Sequence, residues 1–468
     1  MPTFIERHAD KIRGVLSCFD RVVLTGTLPD LCHADAMARF LGARQIRLFD
    51  YPRFAEPFRE ELRTRAERLA AEHGLTIDFI RRRTFRKEDR IKTILARRGD
   101  HPGLVHIFSA MEPCPSFKPW HDKRSGKTVL RSTEAKCLHY YFYFLDRDLG
   151  LCYLRVPTWA PFRLQFYCNG HSVLARALAK RGIAAPLLDK AFVEIADWTR
   201  AQALADAWDP HRLHRQLDRI AATYCLALRH FPAGVHWSCM QVEYATDVVF
   251  HRQAAFRPIY EALTHTAIHA VKPAHVATFL GRKLTGQYQG EVGNDFSTQI
   301  QGARIKHTMG WAAIKLYDKF GLIARVECTA NDVTFFQHHR MVEHRDGTQE
   351  FKLAPVRKSI YSLPVLRAPE KTPPPSTRGS AATAASICST APTWICFAPS
   401  SAASSPSAAS RHGSSGPTYP NAPAPSSRGF SSASGPMVSS RRSASGTSTT
   451  SRPSVAPSPR RPSSCENL

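Results

Sequence analysis

The chain has 468 residues, carries 64 Lys and Arg against 39 Asp and Glu, and has a formal net charge of +25. Its length suits two or three domains, and no window is as apolar as the roughly 18 residues of a membrane-spanning helix, so we expect no membrane protein. The 12 cysteines include no Cys-x-x-Cys pair, and the first residues lack the apolar stretch of a secretion signal. These features predict a reduced, cytoplasmic protein.

The first 135 residues predict an α/β unit. Residues 4–19 have the apolar spacing of an amphipathic helix, and residues 21–28 have the β-branched character of a strand. The elements predicted after them alternate between helix and strand, namely a helix at 51–74, a strand at 76–80, a helix at 87–98 and a strand at 104–109.

The middle segment, residues 136–300, is predicted to begin with a hairpin. Strands at 137–145 and 151–156 flank a turn that ends at Gly150, where a positive φ costs little. The dense aromatic residues here either stack nucleic-acid bases or fill a core. The elements predicted beyond the hairpin are a third strand at 162–167, helices at 172–180, 198–228 and 241–270, a short helix from Pro273, and a loop at 281–296.

Residues 301–366 predict an antiparallel meander of strands at 304–308, 313–317 and 322–328. Because side chains alternate between the two faces of a strand, one face carries mostly basic residues. The candidate DNA-binding residues are Arg304, Lys306, Lys315, Tyr317, Lys319 and Arg325. The alternative is a solvent-facing sheet whose charges, including Glu327, form cross-strand ion pairs. The predicted fold class is therefore α+β, with a mixed α/β unit, a hairpin-rich middle, a helical segment and a β-meander.

The composition changes at about Leu366. After Lys371 there is no lysine or aspartate, and the only acid is Glu466, while Ser, Ala and Pro dominate. Residues 367–468 fit a disordered low-complexity tail or translation in a shifted frame. Translation in a shifted frame is favoured for two reasons. Codons for Ser, Pro, Thr and Ala share a middle C, which a G/C-rich third codon position supplies when the frame shifts. Natural disordered tails, in contrast, usually keep Glu and Lys. Either way, we predict no fold for this tail.

The positive charge does not depend on the tail. From Pro373 onward eight Arg face one Glu, so +18 of the formal charge belongs to the preceding residues. Such an excess favours phosphate backbones or anionic surfaces as partners. The alternative explanation of the excess positive charge is a GC-rich genome, in which arginine is abundant whatever the protein binds.

No motif indicates a cofactor or a metal. Phosphate-loop, dinucleotide-binding and zinc-protease patterns are missing from the sequence. His265 and His269 would share a helical face, but no third ligand is marked by spacing, so no metal site is predicted. Tyr244 and Tyr260 fall in the predicted helix 241–270 and are candidate nucleophiles only if the protein is an enzyme.

Two resemblances bear on function. The strands with Tyr317-Asp318-Lys319 and Arg325-Val326-Glu327 resemble strands of phage and plasmid replication initiators. That likeness implies a nuclease that uses a tyrosine nucleophile and a divalent metal.

A longer resemblance runs over residues 4–365. It rests on these segments: residues 4–8, 14–23 and 111–114, Pro161-Phe162 with Asn169-Gly170, residues 244–247, 279–283 and 304–307, and Tyr317-Asp318-Lys319. They are similar to a bacterial family of largely uncharacterised proteins often labelled MarR-type transcriptional regulators. The label implies a C-terminal winged helix that reads DNA, and the tail of this chain predicts no such segment.

We therefore expect a DNA-binding protein, regulator-like or associated with a mobile element, that contacts the phosphate backbone through the basic sheet face. One alternative is a replication-initiator or transposition-related nuclease that uses a tyrosine or a metal. A second is a non-enzymatic structural or interaction protein. The sequence indicates neither the DNA site nor the oligomeric state.

Overall fold

The fold is α+β and is built on one large sheet. The computed structural model describes residues 3–82, 84–280, 296–344 and 346–367. The strands of the sheet are β1 (Ile12–Thr27), β2 (Ile77–Phe79), β3 (Gly103–Asp122), β4 (Lys127–Asp146), β5 (Gly150–Pro157), β6 (Leu164–Asn169), β9 (His236–Phe250), β10 (Phe296–Gln301), β11 (Arg304–Met309), β12 (Ala312–Lys319) and β13 (Ile323–Ala330). Short hairpins outside it are β7 (Leu187–Leu188) with β8 (Ala191–Phe192), and β14 (Gln337–Glu343) with β15 (Gln349–Pro355).

The helices lie before, between and after these strands. They are α1 (Phe4–Arg7), α2 (Ala34–Ala43), α3 (Tyr51–Glu72), α4 (Lys87–Arg98), α5 (Gly170–Ala179), α6 (Trp198–Asp206), α7 (Pro210–Tyr224), α8 (Gln253–His269), α9 (Pro273–Phe279) and α10 (Leu363–Arg367). No helix among the described residues is long and apolar enough to cross a membrane.

The order of the sheet repeats outward from its centre. The strands run β10-β11-β12-β13-β9-β1-β6-β5-β4-β3-β2, and each pair except the parallel β2–β3 is antiparallel. In each half one long strand, β1 or β9, is followed by helices and then by a meander of four strands, the last of which returns to pair with the first. The first half has in addition the short strand β2, which precedes its meander and pairs with the outer edge of β3. The pair β1–β9 therefore lies at the middle of the sheet, between two meanders of the same topology.

The two faces of the sheet are covered unequally. One face packs against α2, α3, α7, α8 and α9 in the main hydrophobic core. The other face is covered near β3 and β4 by α4, and near the start of β1 by α5 and α6. Between these two smaller clusters the strands carry polar and charged side chains. We call this second face the polar face.

The structure confirms the α+β class, the hairpin with Gly150 at φ 71° and the meander. Two predicted helices, 4–19 and 241–270, were wrong in part: α1 and α8 lie within them, but the remainder is largely strand. Residues 12–19 belong to β1 and residues 241–250 to β9, because both strands lie in mid-sheet, where burial on both faces removes the alternating pattern of a surface strand. Strands from segments 1–135, 136–300 and 301–366 join the same sheet. The predicted loop, apart from Phe296, and the predicted disorder of 368–468 lie outside the described residues.

Gly170 allows β1 and α5 to approach closely. A Cβ at this position would lie 1.9 Å from the carbonyl oxygen of Phe19. We expect Gly170→Ala to lower the free energy of unfolding by about 2–3 kcal/mol, because backbone has to move. Gly42→Ala in α2 is the matched control, since nothing lies within 4 Å of its Cβ position, and it should be neutral or stabilising. Equal stability of the two variants in urea titrations would contradict this packing.

Candidate functional site

Three carboxylates from three strands meet on the polar face at the centre of the sheet. The register of β1 against β9 slips between Phe19 and Val22, so that two residues of β1 stand opposite one residue of β9. Such a bulge redirects side chains, and the two residues of β1 at the bulge are Asp20 and Arg21. Its carboxylate, that of Glu243 on β9 and that of Glu327 on β13 offer oxygens within 4.8 Å of one another. We call these three residues the acidic triad.

Polar partners surround two of the three carboxylates. The Lys315 ammonium forms ion pairs with Glu327 and, at 3.5 Å, with Glu243. The Tyr317 hydroxyl donates a hydrogen bond of 2.8 Å to Glu327. The Thr329 hydroxyl donates to Glu243 at 3.3 Å. These contacts leave carboxylate lone pairs unused, since each ionised carboxylate has about four acceptor positions.

Buried groups orient the third carboxylate. Asp20 accepts hydrogen bonds of 2.9 Å from the Asn169 amide and from His171 Nδ1. The other ring nitrogen of His171 lies 3.5 Å from Asp247. Arg325 binds both oxygens of Asp247 at 2.6 Å and lies 3.8 Å from Asp20. Asp20 is thus held by a chain of fixed partners, as metal-binding and catalytic carboxylates commonly are.

This network keeps Asp20 ionised. Burial alone raises its pKa, but the hydrogen bond and charge of His171, followed by the charge of Arg325, lower the pKa below the usual range. Burial lowers the pKa of His171, while neighbouring Cys18 and the bonds to Asp20 and Asp247 raise it well above its usual value. The pKa of Asp247 is lowered despite its burial, mainly by Arg325. Arg325 Nη2 also lies 3.1 Å from His171 Nε2. The core of the site therefore joins the two carboxylates Asp20 and Asp247 to two adjacent basic side chains.

The pKa of Glu243 is raised, whereas the pKa values of Asp20 and Asp247 are lowered. Burial and the nearby charge of Glu327 raise the pKa of Glu243, and Lys315 offsets the increase only in part. Burial lowers the pKa of Lys315, but the charge of Glu327 raises it above the usual value, so this side chain is an ammonium at neutral pH. The site therefore holds two carboxylates whose repulsion Lys315 relieves only in part, and a divalent cation between them would relieve it further.

The donor set suits a hard divalent cation. Carboxylate oxygens are the ligands that Mg²⁺ and Mn²⁺ prefer, whereas zinc favours nitrogen and sulfur ligands. One residue of the triad is buried and two are half-buried. A bound ion would therefore have protein ligands on one side and access to water or substrate on the other.

A cation and two aromatic rings lie beside the triad. Arg21, the second residue of the bulge, stands 5.5 Å from the centre of the Tyr167 ring, and that ring stacks on Tyr153 with centroids 5.1 Å apart. Arg21 is half-buried, and within the described part of the chain it has no carboxylate oxygen within 4.0 Å. The Arg21 guanidinium is therefore a positive group that could bind an anionic ligand.

The six residues predicted to bind DNA lie on the meander strands but differ in exposure. Arg304 is exposed and Lys306 half-buried. Lys315 and Tyr317 contact the triad, and Lys319 forms a 3.7 Å ion pair with Asp189. Arg325 is 1% exposed, so the expectation that it lies on an exposed face was wrong, because Asp247 on the neighbouring strand neutralises and buries it. Cross-strand ion pairs, the alternative explanation, are present between Lys315 and Glu327.

The two other candidate tyrosines lie away from the polar face. Tyr244 is on β9, not on a helix, and its ring meets Phe19 edge-on at 5.3 Å. Tyr260 is on α8, where its hydroxyl donates to the carbonyl of Ala303. Burial raises the pKa of both phenols, that of Tyr260 to about 12. The Tyr260 ring belongs to the main core, and the half-buried Tyr244 ring packs against that core.

Sequence reasoning missed Asp20, Glu243 and His171 as site residues. The only signal for Asp20 was an acid inside a run of apolar, β-branched residues, and that run was assigned in part to a helix. Comparisons of the chain with family models, with curated proteins and with solved structures find no match. The resemblance to the MarR-labelled family stays a prediction.

Proposed function

We propose that this protein is a nuclease that binds a divalent cation at the acidic triad and cleaves phosphodiester bonds of DNA. The observation that carries the proposal is the convergence of Asp20, Glu243 and Glu327 within 4.8 Å on an incompletely covered sheet face. The +18 charge of the chain outside its tail favours a polyanionic substrate. Of the functions expected from the sequence, metal-dependent cleavage uses these contacts most fully.

Each residue has a role in this proposal. A cation at the triad would polarise the phosphate and lower the pKa of a bound water. The Lys315 ammonium lies beside Glu243 and Glu327 and would stabilise charge that develops on phosphate oxygens. His171 and Arg325 act as positioning residues, because they hold Asp20 but are themselves about 1% exposed.

Hydrolysis by water fits the geometry better than attack by tyrosine. Tyr317 is the one candidate tyrosine beside the triad, and its hydroxyl donates to Glu327. However, burial and the charge of Glu327 raise its pKa, which disfavours the phenolate that a nucleophile requires. In the proposed reaction the oxygen of water bonds to phosphorus while the bond from phosphorus to the leaving nucleoside oxygen breaks. The proton that the water loses balances the proton that the leaving oxygen takes up.

The direct test is to incubate the full chain with supercoiled, linear and single-stranded DNA. Cleavage is expected with Mg²⁺ or Mn²⁺ and should disappear with EDTA. Isothermal titration of the protein with Mn²⁺ should show binding in the same preparation. No Mn²⁺ binding and no cleavage of any of these substrates would overturn the proposal.

The variant Tyr317→Phe separates the two nucleophiles. We expect cleavage to slow by at most about 10-fold, the effect of one lost hydrogen bond, with no protein attached to the DNA on a denaturing gel. Covalent attachment that disappears in Tyr317→Phe, together with the activity, would show that tyrosine and not water attacks phosphorus.

A non-enzymatic regulator of the MarR-labelled type is the second candidate, and the positive charge also supports it. It predicts DNA binding that needs no divalent cation and no cleavage under any of these conditions. Loss of the triad would then leave every measured activity unchanged.

A further inference from the structure

Strands β3 and β4 continue beyond the rest of the sheet as a two-stranded ribbon. Pairing of β4 with β5 begins at His139, whereas β3 and β4 stay paired from Pro113–Lys136 out to Asp122–Lys127. Residues 113–122 and 127–136 therefore form ten cross-strand pairs, a length of roughly 34 Å. The inner part is anchored, because Phe117 and Leu130 are buried in the main core, whereas the cations and the turn 123–126 are exposed. We call these residues and the turn 123–126 the ribbon.

The ribbon is strongly basic. It carries six cations against the acids Asp122 and Glu134. All six are exposed, and none has a carboxylate oxygen within 4.0 Å among the described residues. They are Lys118, Lys123, Arg124, Lys127, Arg131 and Lys136.

The arrangement of these charges costs stability. Lys118 and Arg131 are directly opposite each other in the register, and like charges in this position destabilise a strand pair. The Arg131 guanidinium lies 4.2 Å from the centre of the Trp120 ring, which is itself 42% exposed. A ribbon with repelling cations and an exposed indole gains stability when an anionic partner covers it.

The edge of β3 does not suit addition of a strand from another protein. Within the ribbon it carries Pro113, Pro115 and Pro119, all two or four residues apart and hence with their missing N–H groups on the same side. Proline at an edge blocks further strand pairing. The exposed face that carries Lys118, Lys127 and Arg131, together with the tip, and not the edge of β3, is therefore the surface that we assign to a partner.

We propose that the ribbon binds the phosphate backbone of double-stranded DNA. A two-stranded β-ribbon fits the major groove of B-form DNA, which is about 12 Å wide, whereas the major groove of duplex RNA is too narrow to admit it. The tip, with Lys123, Arg124 and Lys127, enters the groove or spans its phosphates. This inference rests on the proposed function for its biological meaning, because it supplies the duplex on which the acidic triad would act.

The test is the salt dependence of binding to a 30-base-pair duplex in EDTA, where no cleavage occurs. In the full chain, Lys123→Gln/Arg124→Gln/Lys127→Gln should weaken binding at least about 10-fold at 100 mM salt. It should also reduce the slope of log K against log[salt] by about 2–3, because each phosphate contact contributes about 0.9. The matched control, Arg53→Gln/Arg63→Gln/Arg68→Gln on the exposed side of α3, changes the net charge equally and should have a much smaller effect.

The two proposals fail in different ways. The ribbon variant should keep its binding of Mn²⁺ in the same preparation that has lost affinity for the duplex, because the substituted residues lie outside the acidic triad. If the ribbon variant and the α3 control bind duplex DNA equally well, the ribbon inference is overturned whether or not the protein cleaves DNA. Loss of binding to anionic phosphatidylserine vesicles with unchanged DNA affinity would assign the ribbon to a membrane surface and would also overturn it.

Discussion

Glu243→Gln should reduce metal-dependent DNA cleavage by about 10²–10³-fold without lowering the stability of the metal-free protein. Activity falls because the triad loses one of its three charged ligands. Stability should not fall, because burial and Glu327 raise the pKa of Glu243. A carboxyl whose pKa is raised on folding destabilises the folded state at pH values above its folded pKa. Glutamine keeps the shape and removes the repulsion.

The measurements are initial cleavage rates, the Mn²⁺ dissociation constant and the melting temperature in EDTA. Glu343→Gln on β14 is the matched control, since its side chain is exposed, and all three quantities should stay unchanged. If Glu243→Gln melts several degrees lower and binds Mn²⁺ normally, the cluster is a structural ion-pair network and not a metal site.

Arg325→Met should lower the free energy of unfolding by about 3–5 kcal/mol at pH 7, because it leaves Asp247 buried without its main partner. Both side chains are about 1–2% exposed. The pKa of Asp247 is lowered on folding, chiefly by Arg325 in opposition to burial. The stabilisation is therefore present at neutral pH and is lost as the pH falls below roughly 4.

Urea denaturation at pH 7 measures this effect, and Arg304→Met is the matched control. Arg304 is exposed on β11, another strand of the meander, so its replacement should change stability by no more than about 0.5 kcal/mol. The double variant Arg325→Met/Asp247→Leu should recover more than half of the lost stability, because an apolar pair of similar volume can replace a buried ion pair. A stable Arg325→Met with weakened DNA binding would instead restore Arg325 as a DNA contact.

Short-range sequence patterns were enough to predict the strands that are joined by tight turns. Turn glycines and two-residue periodicity indicated the hairpin at Gly150 and the meander of β11, β12 and β13. The same periodicity placed Lys315, Tyr317 and Glu327 close together, since they lie on adjacent strands joined by a short turn. It did not predict which charges would be paired, because Glu243 and Asp247 come from a strand about 80 residues earlier.

The helix predicted over residues 4–19 shows why β1 was difficult to recognise. Ile12, Val15, Leu16 and Phe19 have helical spacing, yet all of them belong to a strand that is flanked by β6 and β9 and covered on both faces. Where a strand is buried on both sides, apolar residues point to both sides and the sequence does not alternate between apolar and polar residues. The bulge at Asp20 further disrupts the period at the position where the triad needs a carboxylate.

Composition and local patterns were enough to predict the α+β class, the separate composition of the tail and the positive charge that favours a polyanionic partner. Which of these charges are available to a ligand depends on long-range packing. Pairing of β1, β9 and β13 brings together acids that lie more than 200 residues apart in the chain, and it buries Arg325 against Asp247. Charge is a property of composition, but its neutralisation depends on neighbours that long-range strand pairing alone provides.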